Sequence, residues 1–324
     1  MKSQPTICPL CSASPTYGEL ESYTDRETTY TLYECPECRV RWWKPLKNPG
    51  AEWYERDERY AGANENPPLE PNWNHRKAIS FFGEKKGRVL DIGCGTGNFL
   101  SWAKKKGWDV YGIDFDRNAV RAATEVFGLP NVSVATLAEF VDSHPDLMGS
   151  FDLVAFFDVF EHIDNHNEFA ALVSRLVKSE GYIAMSMPYR GGARWLQPND
   201  LPPRHLTRWN RASLAGFWGR HGFNTRYIKR APSTFDAILM KFRFKYGKAF
   251  SFGLVQKTQM KEALKGGMQK KQTSRSVRVQ IVHTIAKTKD AFLFGIPAAL
   301  VWLALLPSRK RYTGLYLIAQ KGNL

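Results

Sequence analysis

The sequence predicts an α/β fold built on a doubly wound, mostly parallel sheet, preceded by a small cysteine-rich module. Three observations carry this prediction. Short apolar segments alternate with segments of helical spacing, the first of these apolar segments runs into a glycine-rich loop, and two Cys-x-x-Cys pairs lie within the first 40 residues. Alternating strand and helix patterns are typical of parallel sheets that helices cover on both faces.

Strand and helix patterns follow each other regularly from Arg88 onward. Strands are predicted at Arg88–Ile92, Trp108–Ile113, Val132–Val134, Phe151–Phe157, Tyr182–Met187 and, near the end, Gly314–Ala319. Helices are predicted at Asn98–Lys106, Arg117–Phe127 and Glu168–Val177. The stretch from Lys44 to about Glu70 is rich in proline, which interrupts helices, and is therefore predicted to be a connector.

The length and charge of the chain exclude some classes of protein. Its 324 residues are enough for one large or two modest cores, which excludes a disulfide miniprotein or a disordered tail. The 46 basic and 31 acidic residues give a net charge of +15, which indicates an anionic partner such as nucleic acid, a phospholipid surface or a polyanionic substrate. Between Thr225 and Asp290, 16 basic and 3 acidic residues give +13, so the positive charge is local.

Four of the five cysteines form the two pairs near the N-terminus: Cys8, Cys11, Cys35 and Cys38. Two such pairs complete a tetrahedral site without an open position, which is typical of structural zinc. The strand-like segment Thr28–Tyr33 leads into the second pair, as in a hairpin. The alternatives are unligated thiols and a redox centre, the latter disfavoured because no βαβ pattern surrounds the pairs. We expect a zinc ribbon.

The sequence also predicts where the protein resides. Five cysteines are too few for a secreted disulfide framework, and the first residues lack the apolar run of a signal peptide, so we expect a cytoplasmic protein. The longest apolar run, Phe292–Leu306, contains Gly295 and Pro297. Its 15 residues are fewer than the ~20 that span a bilayer, which argues against a transmembrane helix.

A glycine-rich loop follows the first predicted strand of the sheet and predicts a cofactor site. Gly93, Gly95 and Gly97 alternate with other residues between this strand and a helix. Open α/β sheets bind ligands at the carboxyl ends of their strands, and glycines allow the backbone to approach such a ligand closely. The dinucleotide fingerprint requires glycine or alanine where this chain has Asn98, so a nicotinamide cofactor is disfavoured.

The motifs of this region resemble the class I S-adenosylmethionine-dependent methyltransferases, in the bacterial form that carries an N-terminal zinc ribbon. The resemblance covers roughly Gly87 to Ala231 and the final strand. Four segments match in order and spacing: Asp91–Gly97, Gly112–Asp114, Phe151–Ile163 and Gly181–Pro188. It implies a Rossmann-like sheet of seven strands and S-adenosylmethionine as the cofactor.

The resemblance also implies which residues bind the cofactor. They are Asp91 and Asp158 at the amino-acid end, the loop residues Gly93, Cys94, Gly95 and Gly97, Asp114 at the ribose hydroxyls, and the backbone of Leu137 as one option for adenine. Cys94 is included as a small loop residue without a chemical role. The structural alternative is a helix cap for Asp114 and an ordinary turn residue for Asp158.

Two histidines are candidate general bases for methyl transfer. His162 follows the fourth strand of the family pattern, and His205 lies in a proline-rich loop after the fifth. Histidine is suited to accept a proton near neutral pH. The alternative for both is that they cap or pack a loop. Arg204 and Arg208, beside His205, either bind an anionic acceptor or are solvated.

The C-terminal third combines cations, aromatic rings and an apolar run. In Lys241–Phe250 cations alternate with aromatic residues, a pattern that suits a lipid surface, RNA or a solvated amphipathic hairpin. Phe292–Leu306 is followed by Ser308–Arg311, which predicts an in-plane helix at an anionic membrane; a buried core helix is the alternative. RNA is the less favoured partner.

Together these features predict five segments and one main function. The segments are a zinc ribbon at 1–45, a linker and leading helix at 46–86, a methyltransferase core at 87–230, a basic insertion at 231–290, and an apolar helix with the final strand at 291–324. The expected function is O-methylation of a small-molecule, sugar, glycan or lipid-linked acceptor. The protein itself is expected to be peripheral to the inner membrane. An RNA methyltransferase and an inactive cofactor-binding scaffold are the alternatives.

Overall fold

The computed structural model describes residues 5–56, 70–191, 200–235, 238, 239, 242 and 291–322. Contacts divide the chain into two units. One comprises Met1–Ala231 together with Thr313–Leu324, and the other comprises Pro232–Tyr312.

The described strands are, in chain order, β1 (Glu19–Asp25), β2 (Thr28–Glu34), β3 (Arg41–Lys44), β4 (Arg88–Ile92), β5 (Asp109–Asp114), β6 (Val132–Val134), β7 (Phe151–Phe157), β8 (Val177–Pro188), β9 (Thr207–Arg208), β10 (Phe223–Pro232) and β11 (Tyr312–Lys321). The described α-helices are α1 (Ala51–Glu55), α2 (Trp73–Ser80), α3 (Asn98–Lys105), α4 (Arg117–Phe127), α5 (Leu137–Ser143), α6 (His166–Leu176), α7 (Arg211–Arg220) and α8 (Ile296–Leu305).

A seven-stranded sheet forms the centre of the first unit, in the order β10-β11-β8-β7-β4-β5-β6. Strands β4 to β8 pair in parallel, and β11 pairs antiparallel with β8. The order of strands reverses at β4, because β5 and β6 lie on one side of it and β7 and β8 on the other. This arrangement confirms the predicted doubly wound α/β fold.

The N-terminal module has its own sheet, in the order β1-β2-β3-β9. Its fourth strand does not come from the N-terminus, because β9 follows the loop after β8. Trp42 of β3 pairs with Thr207 of β9, and the amide of Trp43 donates to the carbonyl of Leu206 at 2.9 Å. The module is therefore joined to the loop that carries His205.

One hydrophobic core continues from the N-terminal module into the sheet. Tyr33 and Trp42 of the module belong to the same buried cluster as Phe156, Phe160 and Trp218, which lie in or beside the seven-stranded sheet. Burying aromatic side chains of this size contributes much of the stability of a core. We infer that the module and the sheet stabilise each other.

Some predicted elements differ from the observed ones. Strand β8 begins at Val177, where the sequence predicted the end of a helix, and α6 begins at His166 rather than Glu168. Strand β10 was not predicted at all. It is half-exposed along most of its length, and cations and polar residues interrupt its apolar pattern, so it lacks the run of apolar residues that marks a buried strand.

The second unit contains α8 and a π-helical turn, Ala291–Gly295, directly before it. The ten residues of α8 extend ~15 Å, about half of a ~30 Å hydrocarbon layer. Among the described residues no helix is long and apolar enough to cross a membrane. The predicted basic and aromatic segment Lys241–Phe250 lies outside the described residues, except for Phe242.

Candidate active site

The glycine-rich loop between β4 and α3 needs its glycines for conformation and for packing. Gly93, Gly95 and Gly97 have positive φ angles of 70°, 51° and 80°. A Cβ atom on Gly93 would lie 2.5 Å from Cγ2 of Val159, whereas a Cβ atom on Gly95 would meet nothing within 4 Å. The backbone at Gly95 is therefore open to a ligand, as a cofactor loop requires.

A cavity of about 620 Å³ opens at the carboxyl ends of β4, β5 and β7. Eight of the ten predicted cofactor-binding and catalytic residues line it: Asp91, Gly93, Cys94, Gly95, Asp114, Asp158, His162 and His205. Leu137 lines an adjoining cavity of about 310 Å³, which also includes Gly93 and Asp114. Gly97 lines neither cavity and precedes the first residue of α3.

Asp91 lines the cavity, and one of its carboxylate oxygens lacks a hydrogen-bond partner among the described residues. The residue is 3% exposed, and its Oδ1 atom has no hydrogen-bond partner among the described residues. Burial raises the pKa of this carboxyl well above its usual value. Because an unpaired buried carboxylate is costly, a cationic ligand group at this position would be stabilising.

Asp114, at the end of β5, is held in place by two backbone amides. Its Oδ2 atom accepts from the amide of Gly95 at 2.8 Å, and its Oδ1 atom accepts from the amide of Asp116 at 2.9 Å. Each oxygen keeps a free lone pair for a further donor. The helix cap that was the alternative for Asp114 is instead formed by Asp116, whose Oδ1 accepts from the amide of Asn118.

Asp158 lies at the turn that follows β7. It has a φ of 54°, which is uncommon for a residue other than glycine, and its amide donates to the carbonyl of Ser186 at 2.8 Å. Its side chain is exposed to the cavity. Backbone conformations of this kind cluster at functional sites.

The rings of the two candidate histidines are in edge-to-face contact in the cavity wall but differ in their hydrogen-bond partners. The ring centroids of His162 and His205 are 4.8 Å apart. Nδ1 of His162 lies 2.5 Å from the carbonyl oxygen of Arg204, so Nδ1 carries a proton and donates it. In the neutral ring, Nε2 of His162 is then the acceptor. Burial lowers the pKa of His162 to about 3, helped by the nearby His205.

His205 is oriented by a carboxylate. Its Nδ1 atom lies 3.1 Å from Oδ1 of Asp200, and the histidine is 8% exposed. Asp200 in turn forms an ion pair with Arg208, with 2.9 Å between Oδ2 and Nε. Arg208 is buried, so it is not a solvated side chain, which was one of its two alternatives. Arg204 does line the cavity.

Glu161 was not singled out by the sequence analysis, yet it lies between the two histidines. Its Oε1 atom is 3.9 Å from Nε2 of His162 and 3.9 Å from Nε2 of His205. The residue is 2% exposed, and neither carboxylate oxygen has a hydrogen-bond partner among the described residues. Burial, followed by the charge of Asp158, raises its pKa well above the usual value. Its position next to His162 in the chain was the available clue.

The segment before β4 supplies further cavity residues that were not predicted from the sequence. The hydroxyl of Tyr54, in α1, lies 3.1 Å from Nδ1 of His162. His75, in α2, lies with its Nδ1 atom 3.0 Å from Oδ1 of Asn98, and burial lowers its pKa to about 4. The segment predicted as a linker and leading helix at 46–86 therefore forms part of the cavity wall.

The four N-terminal cysteines converge on one point. The Sγ atoms of Cys8 and Cys38 are 3.8 Å apart, and those of Cys11 and Cys35 are 3.7 Å apart. All four ligand atoms lie within 4.8 Å of one another. A tetrahedral site with Zn–S bonds of ~2.3 Å has edges of ~3.8 Å, so this sulfur set fits a structural zinc ion.

The backbone around the cysteines repeats the same turn twice. In the first pair, the amide of Ser12 donates to the carbonyl of Cys8; in the second, the amide of Arg39 donates to the carbonyl of Cys35. Ser12 and Arg39 both have a φ of 60°. These matching turns direct the two pairs of thiols at the same ion.

Comparisons with known proteins agree with the geometry of this site. Residues 72–228 match the family model described as "Methyltransferase domain". The ubiquinone biosynthesis O-methyltransferase of Pectobacterium atrosepticum is 26% identical over 145 residues, which cover 44% of this chain and 59% of that protein. The protein of the same name from Dechloromonas aromatica is 28% identical over 151 residues, covering 44% and 61%. The chain thus spans about three fifths of the length of these relatives.

Solved structures show the same fold. The phosphoethanolamine N-methyltransferase 2 of Haemonchus contortus, in complex with S-adenosyl-L-methionine, superimposes with a TM-score of 0.54 at 17% identity. The match covers 94% of this chain and 71% of that chain.

Proposed function

Residues 72–228 form a methyltransferase domain of the S-adenosylmethionine-dependent class, and on this premise we propose that the protein methylates a hydroxyl oxygen of a small-molecule acceptor. Relatives named O-methyltransferases support oxygen as the methylated atom. Sugars and lipid-linked hydroxyl compounds belong to the same class of acceptor. The observation that carries the proposal is His205, which lines the cavity together with the glycine-rich loop and has its Nδ1 atom 3.1 Å from Oδ1 of Asp200.

The cavity residues fit S-adenosylmethionine. The unpaired Oδ1 of Asp91 suits the ammonium group of the amino-acid end, and the open backbone at Gly95 allows close approach. Asp114 has lone pairs for the ribose hydroxyls, and the cavity that contains Leu137 has room for the adenine. When bound, the cofactor supplies a methyl group on a sulfonium sulfur.

His205 is better suited than His162 to accept the proton of the acceptor hydroxyl. A general base works best with a pKa near the working pH, and a pKa of about 3 makes His162 a weak base. The carboxylate of Asp200 holds Nδ1–H of His205, which leaves Nε2 as the acceptor and stabilises the imidazolium that forms.

The reaction then follows from this arrangement. The hydroxyl proton moves to Nε2 of His205 while the hydroxyl oxygen forms a bond to the methyl carbon. The bound cofactor would supply this methyl group, and the electron pair of its carbon–sulfur bond would remain on sulfur. Holding both reactants in line accounts for much of the expected acceleration. His162, neutral and fixed by the Arg204 carbonyl, orients the acceptor.

Mass spectrometry tests the proposal. The full chain is incubated with methyl-labelled S-adenosylmethionine and with separated small-molecule, nucleotide-sugar, lipid and RNA fractions. We expect label in a hydroxyl compound of one of the first three fractions, with release of S-adenosylhomocysteine. Label in RNA alone would support an RNA methyltransferase instead. No release with any fraction would support the inactive scaffold.

A further inference from the structure

The helix of the second unit presents an exposed apolar stripe. The stripe consists of Phe292, Ile296, Leu300, Leu303 and Leu306, which are 72%, 48%, 63%, 54% and 39% exposed. The spacings of four, four, three and three residues are those of one helix face. At 100° per residue, the four stripe residues from Ile296 onward fall within ~120° of the helix circumference.

The opposite side of the same helix is less exposed. Ala298 is 0% exposed and lies on the helix side away from Ile296, and Phe294, in the preceding turn, is 5% exposed. Helix α8 has no charged residue along its length. The stripe is therefore not a polar solvent-facing surface, and contiguous exposed apolar patches of this kind mark interaction sites.

Positive charge accompanies the stripe. The sequence from Ala291 to Leu324 contains no acidic residue and four basic ones, three of them at 309–311 directly beyond Leu306. Lys310 is exposed. The neighbouring sequence from Thr225 to Asp290 carries a further +13. A second copy of this chain would bring the same positive charges together, whereas a surface of anionic lipids would neutralise them.

A small apolar cavity lies beside the stripe. It has a volume of about 320 Å³, and its wall includes Trp302, Leu305 and Leu306 together with Arg311. The guanidinium of Arg311 donates to the carbonyl of Leu306 and to the hydroxyl of Tyr312, at 2.7 and 2.8 Å. Tryptophan, tyrosine and arginine are the side chains that favour the boundary between hydrocarbon and headgroups.

From the stripe and its charge we propose that the segment Phe292–Arg311 docks on an anionic phospholipid surface. The helix lies in the plane of the surface, the stripe enters the boundary of the acyl chains, and the cations beyond Leu306 contact the headgroups. A ten-residue helix suffices for this arrangement, although it is too short to span the bilayer. The proposal does not depend on the reaction proposed for the cavity.

Vesicle sedimentation with the full chain tests the proposal. The vesicles consist of phosphatidylcholine alone, or of phosphatidylcholine with a third of phosphatidylserine. We expect binding to the anionic vesicles at least tenfold tighter than to the neutral ones. The double variant Leu300→Glu/Leu303→Glu should lose at least tenfold of this binding, because it places two carboxylates in the stripe.

Matched controls separate the stripe from general effects of charge. Val126, on α4 of the other unit, is 52% exposed, so Val126→Glu adds a carboxylate at an exposed aliphatic site and should leave binding within twofold. The milder variant Leu300→Ser/Leu303→Ser should also weaken binding without adding charge. Unchanged affinity for S-adenosylhomocysteine reports that each variant is folded.

Four results would overturn the proposal. The first is unchanged vesicle binding by both double variants, and the second is an equal loss in Val126→Glu. The third is a concentration-dependent dimer that the stripe variants abolish, with no vesicle binding by the original chain. Displacement of the protein from vesicles by RNA, with the stripe variants binding as before, would point to the cations alone and would equally contradict docking by the stripe.

Discussion

Nδ1 of His205 lies 3.1 Å from the carboxylate of Asp200, whereas the nearest partner of Nδ1 in His162 is a backbone carbonyl. The Asp200 carboxylate carries a full negative charge beside His205, whereas the Arg204 carbonyl is an uncharged acceptor for His162. The two histidines therefore have different expected roles, although the sequence presents them as equivalent candidates.

His205→Gln should lower kcat by about 10²–10⁴-fold, because general bases contribute on this scale. Asp200→Asn should lower kcat in the same direction but less. The rate of S-adenosylhomocysteine release is measured with the acceptor that the labelling experiment identifies. His144→Gln is the control, since His144 directly follows α5, does not line the cavity and should keep the original rate. A His205→Gln variant within tenfold of the original kcat would remove His205 as the base.

Glu161→Gln should stabilise the protein while lowering its activity. The pKa of Glu161 is raised in the folded state, so its contribution to stability is present below the unfolded pKa and is lost as pH rises. At neutral pH the buried carboxylate is a cost, which the neutral amide removes. We expect a gain on the order of 1 kcal/mol in the free energy of unfolding, as in other stability–activity trade-offs. A lower Tm for Glu161→Gln at pH 7.5 would show that the carboxylate is stabilising.

The buried histidines His162 and His166 should make a contribution to stability that falls as the pH drops below about 6.5, opposite in sign to the contribution of Glu161. Burial lowers the pKa of both His162 and His166 to about 3, so the unfolded state binds protons between about pH 6.5 and 3 that the folded state does not. Each such histidine contributes a slope of up to about 1.4 kcal/mol per pH unit. Denaturant unfolding of the zinc-loaded protein at several pH values from 7.5 to 5.5 measures this slope.

His166→Gln isolates one histidine in that measurement. Below pH 6.5, the slope of the unfolding free energy against pH should decrease by up to about 1.4 kcal/mol per pH unit, because glutamine does not titrate. The same slope in both proteins would mean that His166 is protonated in the folded state.

Zinc should stabilise the loop that carries His205 as well as the N-terminal module. Metal analysis should find one ion per chain, and Cys8→Ser/Cys35→Ser should lose it and unfold the first ~45 residues, since a small ribbon has little core of its own. Because β9 pairs with β3, the loop that carries His205 should then loosen. We expect kcat to fall more than the affinity for S-adenosylhomocysteine. A metal-free protein with an intact ribbon and full kcat would contradict this.

Much of the fold was predictable because its elements have strong local patterns. Strands β4, β6 and β7 and helix α4 are observed at the predicted bounds, since each has an apolar run or helical spacing bounded by turn residues or a cap. Strand β10 was missed because cations and polar residues interrupt its sequence and most of its side chains are exposed or half-exposed. It therefore lacks the run of apolar residues by which a strand is recognised.

The site was predictable only where chemistry and local sequence coincide. The glycine-rich loop and Asp114 are recognisable from one short segment each. The partners of the histidines are not: Asp200 reaches His205 through a loop, Tyr54 approaches His162 from 108 positions away, and Glu161 matters because of its burial. Tertiary contacts of this kind leave no pattern in the neighbouring sequence.

Calorimetry with S-adenosylhomocysteine tests the central claim most directly, because it needs no knowledge of the acceptor. The original chain should bind one equivalent, and Asp114→Ala should lose most of the affinity while keeping its fold. Asp109→Ala is the matched control, since Asp109 is exposed at the opposite end of the same strand and pairs only with Arg88 among the ion pairs described. It should bind as the original does. Absence of binding by the original chain, or equal affinity in Asp114→Ala, would contradict the account of the cavity as a cofactor site.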